Sequence, residues 1–111
     1  MTPMILFTLT TFESGQYVDF EKVVCITGDG NYSFIHLVDG QKLLVSKCLE
    51  QLELRLPPSQ FLRIHKRYLI NLRFVESIFP KQIKLTDGKV YAVARRRWPS
   101  VHSYFKQNSR R

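Results

Sequence analysis

Apolar residues along this chain come in short runs of strand length, separated by small clusters of turn residues. Met4 to Thr11 is rich in Ile, Leu, Phe and Thr and is broken by Glu13-Ser14-Gly15-Gln16. Tyr17–Phe20 follows, then Lys22–Thr27, which stops at Gly28-Asp29-Gly30-Asn31. Tyr32–Val38 reads as a strand in which Tyr32, Phe34 and His36 alternate with Ser33, Ile35 and Leu37. Asp39-Gly40 is a two-residue hairpin signal, with Gln41–Val45 as the returning strand.

One helical pattern interrupts the series. Ser46 is placed to serve as its N-cap, and Leu49, Leu52 and Leu56 recur at i, i+3 and i+7. Pro57-Pro58 ends it, because proline lacks the helical N–H and restricts the residue before it. Phe61–Ile64, Tyr68–Asn71, Phe74–Phe79 and Gln82–Leu85 are again strand-like, and Asp87-Gly88 is a second hairpin signal leading to Lys89–Ala94. From Arg95 to Gln107 a short terminal helix fits, with Val101 and Phe105 at i and i+4 and Pro99 in its first turn. The expected fold is mainly β: an elongated domain of small packed antiparallel sheets, one short internal helix and a short C-terminal helix. With no repeat and no linker, residues 1–111 are expected to form one domain, frayed from about Gln107.

Composition adds a partner to this picture. Apolar residues make up 44% of the 111 and aromatics 13%, enough for a packed core. Seventeen Lys and Arg face nine Asp and Glu, a net charge of +8 that attracts polyanions. The excess is lopsided: Met1–Gln60 carries a net −3, Phe61–Arg111 a net +11. Cys25 and Cys48 have no metal-type or disulfide-framework spacing and are expected to be buried free thiols. No run approaches the roughly 20 apolar residues of a membrane span, and the N-terminal run lacks the basic lead of a signal peptide. The expectation is a cytoplasmic protein with no membrane partner.

Catalysis is hard to assemble from these residues. His36, His65 and His102 show no metal-binding spacing, so neither a metal site nor a cofactor is expected, and His36 reads as a structural histidine on a strand. There is no nucleophile elbow or phosphate-cradling glycine loop, and after Glu53 the acids are only Glu76 and Asp87. Three loop-like stretches suit binding better. They are Gly28–Tyr32 with Asn31 near its tip, His65–Tyr68 inside the run Phe61–Leu72, and Ala94–Trp98 where a strand runs into the terminal helix. Asn can bond adenine bidentately, and Arg and Lys suit guanine edges or phosphate. The plainer alternatives are an ordinary glycine turn at the first stretch and a solvated helix start at the third, although cations at a helix N-terminus are mildly unfavourable.

Taken in order, the glycine–Asn31–Tyr32 loop, the run Phe61–Asn71 and the close Asp87–Trp98 resemble the LytTR DNA-binding domain of bacterial transcription regulators. The resemblance spans about Tyr17 to Phe105. It implies a response-regulator type of output domain that binds double-stranded DNA, using loop side chains in successive major grooves instead of a recognition helix. By position it puts Asn31, Lys66 and Arg95 at the bases. Arg63, His65, Arg67, Arg96 and Arg97 become phosphate-contact candidates, with His65 equally readable as a structural histidine holding the bend. Strand alternation would set Arg63 and His65 on one face. Arg67 and Ala94 depart from the family pattern, which often has small hydroxyl residues there. Relatives commonly carry a receiver or sensor domain upstream, for which Met1–Gln16 are too few residues. Two copies on neighbouring DNA repeats are conceivable, and a free copy shows no heptad seam. The rival readings are an RNA or single-stranded nucleic-acid module, stacking bases on Tyr32, Tyr68, Tyr91 and Trp98, and a protein or anionic-surface module with no role for Asn31.

Overall fold

The computed structural model describes residues 6–7 and 18–108. Ten strands and two α-helices are described: β1 Leu6–Phe7, β2 Val18–Asp19, β3 Val23–Asp29, β4 Tyr32–Leu37, β5 Lys42–Val45, α1 Leu49–Glu53, β6 Phe61–His65, β7 Tyr68–Asn71, β8 Val75–Phe79, β9 Gln82–Leu85, β10 Val90–Ala92 and α2 Trp98–Asn108. Of the strand expected over Met4–Thr11, Leu6–Phe7 pairs with β2, and the rest lies outside the described residues, as do residues 109–111. The strands form antiparallel sheets in the orders β5-β4-β3-β7-β6 and β10-β9-β8, with β1-β2 as a small ribbon. Principal extents of 39 × 34 × 24 Å make a body only slightly longer than it is wide.

The five-stranded sheet is covered on both faces, which is why β3 reads as an unbroken buried run, Val23-Val24-Cys25-Ile26. On one face Ile26, Ile35, Val45, Phe61 and Leu69 pack under Leu49, Leu52 and Leu56. On the other, Val24, Cys25, Ile64 and Ile70 meet Ile83, Leu85 and Tyr91 of the second sheet, and Val101 of α2 closes the layer. Bulges make this sharing possible. Register shifts between Val23 and Cys25 on β3, and between Arg63 and His65 on β6, send two successive side chains to the second-sheet side. The β6 shift also corrects the expected alternation: Arg63 lies on the α1 side with Leu69 opposite it, whereas His65 packs on Tyr68 on the second-sheet side.

Three local expectations shift for identifiable reasons. The N-cap of α1 is Cys48, not Ser46; its N–H is accepted by Gln51 Oε1 at 3.2 Å, while Lys47 O is held by the Ser33 hydroxyl at 2.7 Å. Cys48 is consequently half-buried, whereas Cys25 is buried as expected, and both thiols are free. The Asp39-Gly40 and Asp87-Gly88 turns close three-residue loops: Leu37 N bonds Gln41 O, and Leu85 N bonds Lys89 O, with the glycine left-handed at the third position. The terminal helix forms over Trp98–Asn108, starting three residues later than expected because Arg95–Arg97 make a turn; Pro99 lies in its first turn, Val101 is buried and Phe105 half-buried.

Asn71, read only as a strand end, is a fully buried polar tie. Its amide donates to Val23 O at 2.8 Å and its Oδ1 accepts Arg73 N at 2.9 Å, fixing the exit of β7 against the start of β3. Asn71→Ala orphans both groups and is expected to cost about 1–3 kcal/mol, measurable as a lower urea midpoint with unchanged slope.

Candidate nucleic-acid interface

Antiparallel pairing decides where the three loops go. Asp29 pairs with Tyr32 across the β3–β4 turn, and His65 with Tyr68 across the β6–β7 turn. Because Thr27 pairs with both Phe34 and Tyr68, the two tips lie side by side at one end of the sheet. Gly28 N donates to Arg67 O at 2.9 Å, joining the first tip to the second. Ala94 N donates to Ile64 O at 2.9 Å, joining the third stretch to the same hairpin. Asn31, Lys66 and Arg95, separated by up to 64 positions in the sequence, are thus carried by three mutually bonded segments, and all three are exposed.

Each tip is held by different chemistry. The first is a two-residue turn, Gly30-Asn31; Gly30 sits at φ +64 and Asn31 at negative φ, the type II′ pattern that matches strand twist. Gly28 packs so closely on α1 that a Cβ there would lie 3.0 Å from Leu49 Cβ. The second turn, Lys66-Arg67, has no glycine and no residue of positive φ, so side chains supply what its backbone lacks. His65 Nδ1 accepts Arg67 N at 3.0 Å. Arg63, on the opposite side, donates Nε–H to His65 O at 2.7 Å and Nη2–H to Lys66 O at 2.9 Å. Its Nη1 meets Glu53 Oε1 of α1 at 2.6 Å, and the Arg63 side chain is only 8% exposed. The guanidinium expected at phosphate is therefore folded back into the hairpin. The third segment turns through Ala94, whose carbonyl accepts from both Arg97 N and Trp98 N at 2.9 Å as α2 begins.

The remaining cations crowd this end of the sheet. Lys66, Arg67, Arg95, Arg96 and Arg97 are all exposed. Lys81 adds another beside the third segment: its carbonyl takes Val93 N at 2.9 Å, and it is the one non-glycine residue of positive φ among the described residues. Desolvation lowers the His65 pKa below 6.5, and Arg67, Arg97, Lys66 and Arg63 push it further down. The neutral ring must leave Nδ1 bare to accept Arg67 N, so Nε2 carries the proton and remains a donor. A surface of clustered cations ahead of a helix N-terminus favours an anion in contact with it.

Other titratable groups serve the fold. His36 Nε2 lies 3.0 Å from Thr27 Oγ1, and burial, with Lys42 and Lys89 nearby, lowers its pKa. Burial pushes the Cys25 thiol up to about 11 despite its bond to Tyr91 Oη at 3.4 Å, so it stays protonated and inert. Tyr68, Tyr91 and Trp98 pack in the second core cluster, and of the four candidate stacking aromatics Tyr32 alone is exposed.

Residues 15–106 match the model of the LytTr DNA-binding domain, and the chain belongs to that family. It is a DNA-binding domain of the kind carried by transcription regulators, a family of regulator domains and not of enzymes. Over 65 residues, 59% of this chain and 27% of the relative, it is 37% identical to the CO-responsive transcriptional regulator RcoM of Rhodospirillum rubrum. Over 74 residues, 65% of this chain and 27% of the relative, it is 31% identical to the heme-containing CO-sensing transcriptional regulator RcoM 2 of Paraburkholderia xenovorans. The chain thus spans about a quarter of the length of these curated relatives. Among solved structures, the LytTr DNA-binding domain of a response regulator from Bacillus cereus superposes with a TM-score of 0.68 over 83% of this chain and 84% of that one, at 21% identity, a likeness of fold. No helix among the described residues is long and apolar enough to cross a membrane.

Sequence reasoning located the basic loops but missed Glu53 as a part of the site. Its signal was faint: one carboxylate on a helix, ten positions before the arginine it holds. The His65 bond gives a pH signature. Because folding lowers its pKa below 6.5, its contribution is complete above that value and is lost as pH falls through the lowered one. Ring NMR of the DNA-free domain should show a titration midpoint below 6.5, with the Arg67 amide shifting in parallel; a midpoint at or above 6.5 contradicts the assignment.

Proposed function

We propose that this domain reads double-stranded DNA sequence-specifically through Asn31, Lys66 and Arg95, which present side chains to base edges in the major groove. His65, Arg67, Arg96 and Arg97 grip the flanking phosphates. The observation that carries this reading is the pair of bonds Gly28 N–Arg67 O and Ala94 N–Ile64 O, which lock three exposed loops into one basic surface. A preformed surface binds without first ordering its loops, so more of the contact energy remains for discrimination. Asn31 carries no charge, and its place on a tip among cations favours base reading over general polyanion attraction. The domain acts as the DNA-binding part of a cytoplasmic regulator whose input signal is received elsewhere, with two copies able to occupy neighbouring repeats on one face of the duplex.

Selection from randomised duplex DNA, with single-stranded competitor present, tests this directly. A short motif, repeated at about one helical turn, is expected; enrichment of no motif, with binding lost to the single strand, contradicts it. On the selected site, Arg95→Ala should lose about 1–3 kcal/mol of discrimination while the domain stays folded. Arg96→Ala should instead weaken all sequences alike and reduce the salt slope by about 0.9.

A further inference from the structure

Arg63 and Glu53 stand apart from the other charged groups near the tips. An arginine in a DNA-binding surface ordinarily projects toward phosphate, yet this side chain is nearly enclosed, at 8% exposure, and three of its nitrogens are engaged within the protein. Two of the acceptors, His65 O and Lys66 O, are carbonyls of the second loop itself. The third is Glu53 Oε1, on the helix packed beneath the same sheet face. A carboxylate this near a DNA surface repels the ligand, so its presence calls for a compensating purpose.

We propose that Arg63 and Glu53 are positioning residues for DNA reading: Glu53 aims the Arg63 guanidinium, whose fork fixes the two carbonyls and thereby the direction in which Lys66 points. The proposal rests on the assignment of Lys66 to the bases. The planar guanidinium alone suits this task, since it offers parallel donors in a fixed plane while a lysine ammonium offers a single point charge. The β6 bulge is part of the device. By slipping register between Arg63 and His65 it sends Arg63 to the α1 side and His65 to the Tyr68 side, so the Lys66-Arg67 turn is braced from both faces.

The test compares wild type with Glu53→Gln, Arg63→Gln and Arg63→Lys on the selected duplex and on random duplex over a range of salt. Glu53→Gln removes a repulsive charge, so simple electrostatics predicts tighter binding everywhere. Positioning predicts the reverse for the specific site, a roughly tenfold fall in the ratio of specific to random binding, comparable to a weakened base contact. Arg63→Lys should fail to rescue that ratio, and Arg63→Gln should leave the salt slope unchanged. A slope reduced by about 0.9 in Arg63→Gln and restored in Arg63→Lys would make Arg63 a phosphate ligand and overturn the proposal. An unchanged ratio in Glu53→Gln would overturn the part assigned to Glu53. Exchange of the Arg67 amide in the free variants is read alongside. Should wild type show no sequence preference, the base-reading assignment fails by itself; the brace is then upheld by faster Arg67 exchange in Glu53→Gln and overturned by unchanged exchange.

Discussion

Covering both faces of an antiparallel sheet restricts what the sheet can offer a partner. Here α1 occupies one face of the five central strands, and the second sheet with α2 occupies the other. What remains are edges and ends, and at one end the β3–β4 and β6–β7 tips meet the segment that leaves β10. Packing that hides the flat surfaces thus concentrates the exposed basic side chains at the loops. The second sheet contributes more than burial, because the chain that carries Tyr91 into the core on β10 runs on through Val93 and Ala94 and brings Arg95 beside the hairpin tips.

The same economy governs charge. The basic half of the chain does not spread its cations evenly: Arg73 and Lys84 pair with Glu21 and Glu76, while Lys66, Arg67, Arg95, Arg96 and Arg97 gather at the tips and form no ion pair among the described residues. Desolvation, and after it the repulsion of these cations, disfavours protonation of His65, which suits a ring that accepts a backbone N–H. Arg63, paired with Glu53, supports this cluster from within the protein.

How much of this could be read from the residues depended on whether a feature was local. Turn clusters such as Gly28–Asn31 and Asp87-Gly88 delimited the strands because turn chemistry is written in adjacent residues. The leucines at 49, 52 and 56 marked the helical segment for the same reason. Features set by pairing were not legible. A one-residue slip at Ile64 decides which face Arg63 and His65 take, and nothing within Phe61–Leu72 reveals it. A basic residue in a strand reads as exposed until its partner is known, and Glu53 lies on a different element. Asn71 likewise looked like an ordinary strand end, since its partner Val23 is 48 positions away.

DNA reading of this kind requires the three tips to be one preformed unit before DNA arrives, and native-state amide exchange of the free domain tests that most directly. The amides of Gly28, Arg67 and Ala94, bonded to Arg67 O, His65 Nδ1 and Ile64 O, are expected to exchange slowly, with Gly28 and Ala94 as protected as Ile26 in the core. Exchange of Gly28 and Ala94 at the rate of open turn peptide, with Ile26 still protected, would mean that the loops order only on DNA and would contradict the account.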